Sequence, residues 1–73
     1  MRTMRYAVVI ERDSTGVSAY VPDLPGCVAT GGTVEETEQR LAEAIEVHVQ
    51  GLRDDGLEVP EPSSVVDYVD VPA

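Results

Sequence analysis

Few side chains in this chain are suited to chemistry, and their spacing limits what they can do. His48 is the sole histidine and Cys27 the sole cysteine. An imidazole titrates near neutral pH and serves as a general base or a metal ligand. Either task needs partners at ligand or hydrogen-bond distance, and a zinc site takes about three or four nitrogen, sulfur or carboxylate ligands. One His and one Cys supply no such set, so His48 reads as a residue packed at the edge of a core. A single Cys excludes an intrachain disulfide and a cysteine-based metal site. With no base or cation placed beside it by sequence, Cys27 reads as a small buried hydrophobe.

Glu11, Asp13 and Asp23 are the acids placed near predicted strand ends. Carboxylates gathered there hold a divalent cation when several converge on one point, and a nuclease needs phosphate contacts as well. The spacing singles out no such convergence, and the cations are 5 arginines with no lysine. These acids therefore read as turn residues, which Asp favours because its side chain bonds the nearby backbone. Gly31-Gly32 precedes a helix start, but no Walker lysine and no dinucleotide glycine pattern accompany it. No catalytic, cofactor-binding or metal-ligating residue is assigned, and the chain reads as a binding module rather than an enzyme.

Charge points the same way. Fourteen acids stand against five arginines, a net charge of -9. A chain that grips a nucleic-acid backbone needs clustered Lys and Arg, so direct nucleic-acid binding is not expected. The balance suits solubility, or a surface that covers a basic partner. No apolar run approaches the roughly 18 residues of a membrane span, and the first residues lead into a strand rather than a signal-peptide core. The expected compartment is the cytoplasm. With 73 residues, a domain buries only about 60% of the surface its unfolded chain exposes. A thin core of this kind gains from association with a copy or a partner.

The elements that position these residues follow from periodicity. Residues 6–11 read as a first strand with apolar side chains on both faces, residues 12–16 as a polar turn, and residues 17–21 as a second strand. Pro22 ends that strand, Pro25-Gly26 turns the chain, and residues 27–30 form a short third strand. Thr33 and Glu36 make a capping box that opens a long helix. Val34, Leu41, Ile45, His48 and Leu52 form its apolar stripe, widened by Thr37, Ala44 and Val49. Val47 falls off the stripe and reads as an exposed contact residue. Nine acids and two arginines lie between Thr33 and Glu61, giving an acidic outer face. Gly56 caps the helix, Pro60 and Pro62 mark an extended connector, and residues 65–69 read as a fourth strand. The predicted architecture is α+β: β-β-β-α-β, one domain over residues 3–71, one long helix on one face of a four-stranded mixed sheet. A right-handed crossover brings the fourth strand parallel to the first. The other sheet face is left uncovered, with Arg5, Ala7, Val9 and Tyr20 exposed or meeting another subunit.

The ordered series from Tyr6 to Pro62 resembles the HicB-type antitoxin domain. It runs through residues 6–11 with Asp13 and Gly16, the block Ala19-Tyr20-Val21-Pro22-Asp23-Leu24-Pro25-Gly26-Cys27, then Gly32-Thr33 with Glu35 and Glu36, Ala44-Ile45-Glu46, and Gly56 with Pro60 and Pro62. The resemblance spans about Arg5 to Pro62, and the Pro-Asp-Leu-Pro-Gly-Cys block is its most specific part. It implies a partial ribonuclease H-like fold and a protein that blocks a small basic RNA-cleaving toxin of the double-stranded-RNA-binding fold. Full-length members usually carry a C-terminal ribbon-helix-helix or helix-turn-helix module. Only 11 residues follow Pro62, so a short, solitary member without a separate DNA-binding domain is expected. The expected function is an antitoxin-like domain that neutralises its toxin by covering it. The alternatives are a solitary homo-oligomeric binding domain, associating through the uncovered sheet face, and a metal-dependent nuclease.

Overall fold

Asp13 closes the first hairpin. Its Oδ1 accepts from the Thr15 amide at 2.7 Å, the Thr15 hydroxyl at 2.6 Å and the Gly16 amide at 3.1 Å. This side-chain turn leaves Ser14 and Thr15 as the loop and lets the ladder run to its last pair, Asp13 with Gly16. The computed structural model describes residues 3–73. Within it β1 is Val9–Asp13, β2 is Gly16–Tyr20, β3 is Val28–Gly31 and α1 is Val34–Asp54. The three strands form one antiparallel sheet in the order β1-β2-β3.

β1 begins three residues later than residues 6–11 would suggest. Its partner β2 ends at Tyr20, because Pro22 stops the strand, and Tyr20 pairs Val9. Residues 6–8 thus have no antiparallel strand opposite them, and they pack instead: Tyr6 and Val8 lie against the core. The core itself is Ala19, Val21, Leu24, Cys27 and Leu41. Leu24 and Leu41 are almost completely buried, and each such side chain contributes about 1.5–3 kcal/mol.

The helix starts where expected but with half of the capping box: the Thr33 hydroxyl accepts the Glu36 amide at 3.1 Å, while the Glu36 carboxylate pairs with Arg40 at 2.7 Å instead of returning to the Thr33 amide. Thr37 and Leu41 are its buried residues, while Val34, Ala44, Ile45, His48, Val49 and Leu52 are half-buried along the same stripe. It ends in a Schellman arrangement, with Gly56 at φ 70°, its amide on the Arg53 carbonyl at 3.0 Å and the Leu57 amide on the Leu52 carbonyl at 2.8 Å. The 21 residues of α1 span roughly 31 Å at 1.5 Å per residue, whereas a five-residue strand spans only about 17 Å. α1 therefore overhangs the sheet. It packs chiefly on β3 and β2, and its later turns reach Met4 and Tyr6.

The predicted fourth strand does not form. Among the described residues the sheet has three strands, all antiparallel, so the four-stranded mixed sheet, the parallel crossover and the ribonuclease H-like assignment are corrected to β-β-β-α. The physical reason lies in the anchors that follow the helix. The Tyr6 hydroxyl donates to the Pro60 carbonyl at 2.6 Å, and Asp23 takes the amides of Ser63 and Ser64, both at 2.9 Å. These contacts carry the chain to the Asp23 loop instead of laying it along β1. Val65, Tyr68 and Val69 are then 90%, 89% and 84% exposed, so no buried face fixes a register for them.

Candidate functional site

The open face of the sheet is set by strand alternation. Val17 and Ala19 of β2 point to α1 and are buried, which turns Ser18 and Tyr20 outward. The register then aligns Val9, Tyr20 and Val28 across the three strands in one row. Tyr20 is 42% and Val28 63% exposed. The neighbouring row is polar: Glu11, Ser18 and Thr30. Val28 lies on β3, at the sheet edge nearer the helix, and there it lines a groove with Cys27, Arg40, Glu43, Val47 and His48. Val47 is 74% exposed on α1, so the apolar strip continues from the sheet face over its edge onto the helix. Exposed acids border it, with Glu11 on the sheet and Glu43 on the helix. Aromatic and aliphatic side chains in such a strip are the kind that anchor protein contacts.

The loop from Val21 to Cys27 holds this face in place. The Val21 amide donates to the Cys27 carbonyl, the Leu24 amide to the Val21 carbonyl and the Cys27 amide to the Leu24 carbonyl, each at 3.1 Å. Val21, Leu24 and Cys27 are buried as a group. Burial pushes the Cys27 thiol above its ordinary value, which makes it a poor nucleophile. His48 is half-buried in the groove beside Val47.

The strand-end acids are not brought together. Asp13 sits in the β1–β2 hairpin turn and Asp23 in the loop at the opposite end of β2. Each is occupied with donors. The Thr15 hydroxyl, followed by backbone amides, holds the Asp13 carboxyl below its ordinary value. The Ser64 and Ser63 amides, with both serine hydroxyls, bring Asp23 down to about 2. Among the described residues no group of three or more His, Cys, Asp or Glu side chains could hold a metal ion, and no helix is long and apolar enough to cross a membrane.

Sequence patterning identified Tyr20 and Val47 as outward residues. It did not pair Tyr20 with Val28, because the β2–β3 register is set by the loop between those strands, where the Val21 amide meets the Cys27 carbonyl. It also missed Asp23 as a clamp on Ser63 and Ser64, a contact between residues 40 and 41 positions apart.

Comparison with known proteins places this geometry among relatives. A family profile described as "HicB_like antitoxin of bacterial toxin-antitoxin system" matches residues 6–73. An uncharacterized 14.9 kDa protein of Haemophilus phage HP1 is 35% identical over 69 residues, covering 94% of this chain and 52% of the phage protein. Antitoxin HicB 2 of Photorhabdus laumondii is 34% identical over 73 residues, covering 99% of this chain and 52% of its own length. The chain thus spans about half the length of these two relatives. A chain from a solved HicA3 and HicB3 toxin-antitoxin complex superposes with a TM-score of 0.68 at 30% identity, over 81% of this chain and 70% of that one.

Proposed function

The chain belongs to the HicB-like antitoxins of bacterial toxin-antitoxin systems, and from that premise we propose that it is a non-catalytic, cytoplasmic binding domain over residues 3–71 that neutralises a small basic RNA-cleaving toxin by covering it. The observation that carries the reading is the strip of half-buried Val9 and exposed Tyr20, Val28 and Val47, with Glu11 in the neighbouring row of the sheet and Glu43 in the groove. Apolar anchors supply contact area, and a net charge of -9 steers a basic partner toward them. The solved relative that superposes over most of the chain comes from a toxin-antitoxin complex, which supports a toxin as the occupant.

The reading predicts a small basic RNA-cleaving protein encoded beside this chain, and the test is co-expression with that protein, followed by purification of the complex and an RNA-cleavage assay. The expected result is a stable complex in which cleavage stops. A folded chain that leaves the neighbour's cleavage untouched overturns the reading.

A second reading, a homo-oligomeric binding domain, is favoured by the same strip: a copy seated on the open sheet face would cover Tyr20 and Val28. Sedimentation of the free chain, with and without Tyr20→Glu, separates the two readings.

A further inference from the structure

His48 occupies a boundary on α1. It belongs to the buried stripe by position, yet it is only half-buried, and its neighbour Val47 is 74% exposed. Both residues line the groove at the β3 edge, together with Cys27 and Val28. The residues one turn away on the helix, Ala44, Ile45, Gly51 and Leu52, carry no charge. The imidazole thus keeps access to water in the free chain, and a partner seated on Val28 and Val47 covers it.

Few charges surround it. Arg40 and Glu43 of α1 line the same groove. Arg40 is engaged, its guanidinium 2.7 Å from the Glu36 carboxylate and donating to the Thr30 carbonyl at 2.9 Å. Glu43 is exposed and is the acid of the groove. The sheet and the loop contribute Gly26, Cys27 and Val28, and burial raises the Cys27 thiol, which keeps it neutral. Asp23 of that loop is held by the amides of Ser63 and Ser64. Glu46 and Arg53 line a separate groove with Met4 and Tyr6.

We propose that His48 is a pH sensor in the toxin-binding strip: the neutral imidazole lets the basic partner bind and the imidazolium repels it, so that acidification loosens the complex. This control rests on the toxin reading and acts at the same surface. Two effects work in one direction. Covering the groove takes water from His48, which disfavours its charged form. The cations of a basic partner disfavour that form as well, and they draw Glu43 to themselves. An imidazole is the side chain whose charge ordinarily changes between about pH 5 and 8, and the chain has one. By linkage, a partner that prefers the neutral form expels the proton, and the proton weakens the partner by the same factor. An approximately tenfold difference in proton affinity between the free and bound chain is an equal difference in partner affinity.

The experiment is calorimetric titration of the full chain with the small basic RNA-cleaving protein that the functional reading predicts, at about pH 7.5 and about pH 5.5. The parent, His48→Gln and His48→Arg are compared, each first shown by circular dichroism to keep the helix. The expected result for the parent is a dissociation constant that rises about tenfold on acidification, with protons released on binding, read from buffers of different ionisation heat. His48→Gln loses most of that rise and of that release. Groups of the toxin titrate alike against both chains, so the difference belongs to His48. His48→Arg, charged at both pH values, binds more weakly than the parent at the higher pH. Absence of a complex at the higher pH overturns the toxin reading and the sensor together. A complex whose pH response and proton release are the same for the parent and His48→Gln overturns the sensor alone.

Discussion

Asp23 and Ser64 stand 41 positions apart in the chain and are joined by two hydrogen bonds, amide to Oδ2 at 2.9 Å and hydroxyl to Oδ1 at 2.7 Å. Ser63 repeats the pattern at 2.9 and 3.1 Å. One carboxylate therefore fixes where the segment after the helix leaves the body. It also explains why the most specific block of the sequence places an acid between Pro22 and Leu24.

The clamp predicts a pH signature. Donation from Ser64 and Ser63 lowers the Asp23 carboxyl to about 2 from its ordinary 3.8. A carboxyl depressed on folding adds stability that is fully present above its unfolded pKa and is lost as pH falls through the folded one. The loss should thus run from about pH 4 down to about pH 2. Asp23→Asn should flatten the fall in unfolding midpoint over that window and accelerate amide exchange at Ser63 and Ser64. A side-chain NMR titration that places Asp23 at its ordinary value would refute the clamp in solution.

Gly31 predicts a steric limit where β3 meets α1. A Cβ built there lies 2.6 Å from the Thr37 Oγ1. That hydroxyl is itself fixed, donating to the Thr33 carbonyl at 2.7 Å, and Thr37 is fully buried. Gly31→Ala should lower stability by about 1–3 kcal/mol, the usual range for overpacking. Thr37→Ala removes the clashing atom, so the double variant should recover part of the loss relative to the sum of the singles. Urea unfolding of the four proteins measures that coupling.

Leu24 predicts which part of the turn block belongs to the core. It is fully buried although it sits in a proline-flanked loop, so Leu24→Ala should cost about 2–5 kcal/mol by the usual range for buried leucines. Val65→Ala, at an exposed position, should stay within about 0.5 kcal/mol. Cys27 lies in the same cluster, so its thiol should resist a water-soluble disulfide reagent at pH 8 until denaturant is added.

The helix was legible almost whole. Thr33 and Glu36 signalled its start, the stripe from Val34 to Leu52 its buried side, and Gly56 its end, because all three signals are local. The first hairpin was legible too, although its ladder ran further because Asp13 closes the turn with its own side chain. The fourth strand was misread for a different reason. Alternation in residues 65–69 records strand preference, whereas pairing depends on where the chain is carried, and Tyr6, Pro60 and Asp23 decide that through contacts spanning 40 or more positions. The open face was foreseen from the alternation of Val17, Ala19 and Val21 against Ser18 and Tyr20. Its continuity with Val47 was not, since strand edge and helix meet only in three dimensions.

Tyr20 is the sharpest test of the binding surface. It occupies the middle of the row Val9–Tyr20–Val28, and its ring is only partly covered. A tyrosine at the centre of a contact typically carries about 2 kcal/mol or more, roughly thirtyfold in affinity. Tyr20→Glu adds a like charge to an already acidic rim while leaving the helix-facing side of β2 unchanged. Binding to the proposed basic toxin, followed by calorimetry, should therefore weaken by at least about thirtyfold, with thermal stability of the free chain nearly unaltered. Val47→Glu, at the far end of the same strip, should weaken binding less, because a rim position remains partly wet in the complex. Equal affinity for Tyr20→Glu and the parent chain would remove the sheet face from the proposed toxin contact.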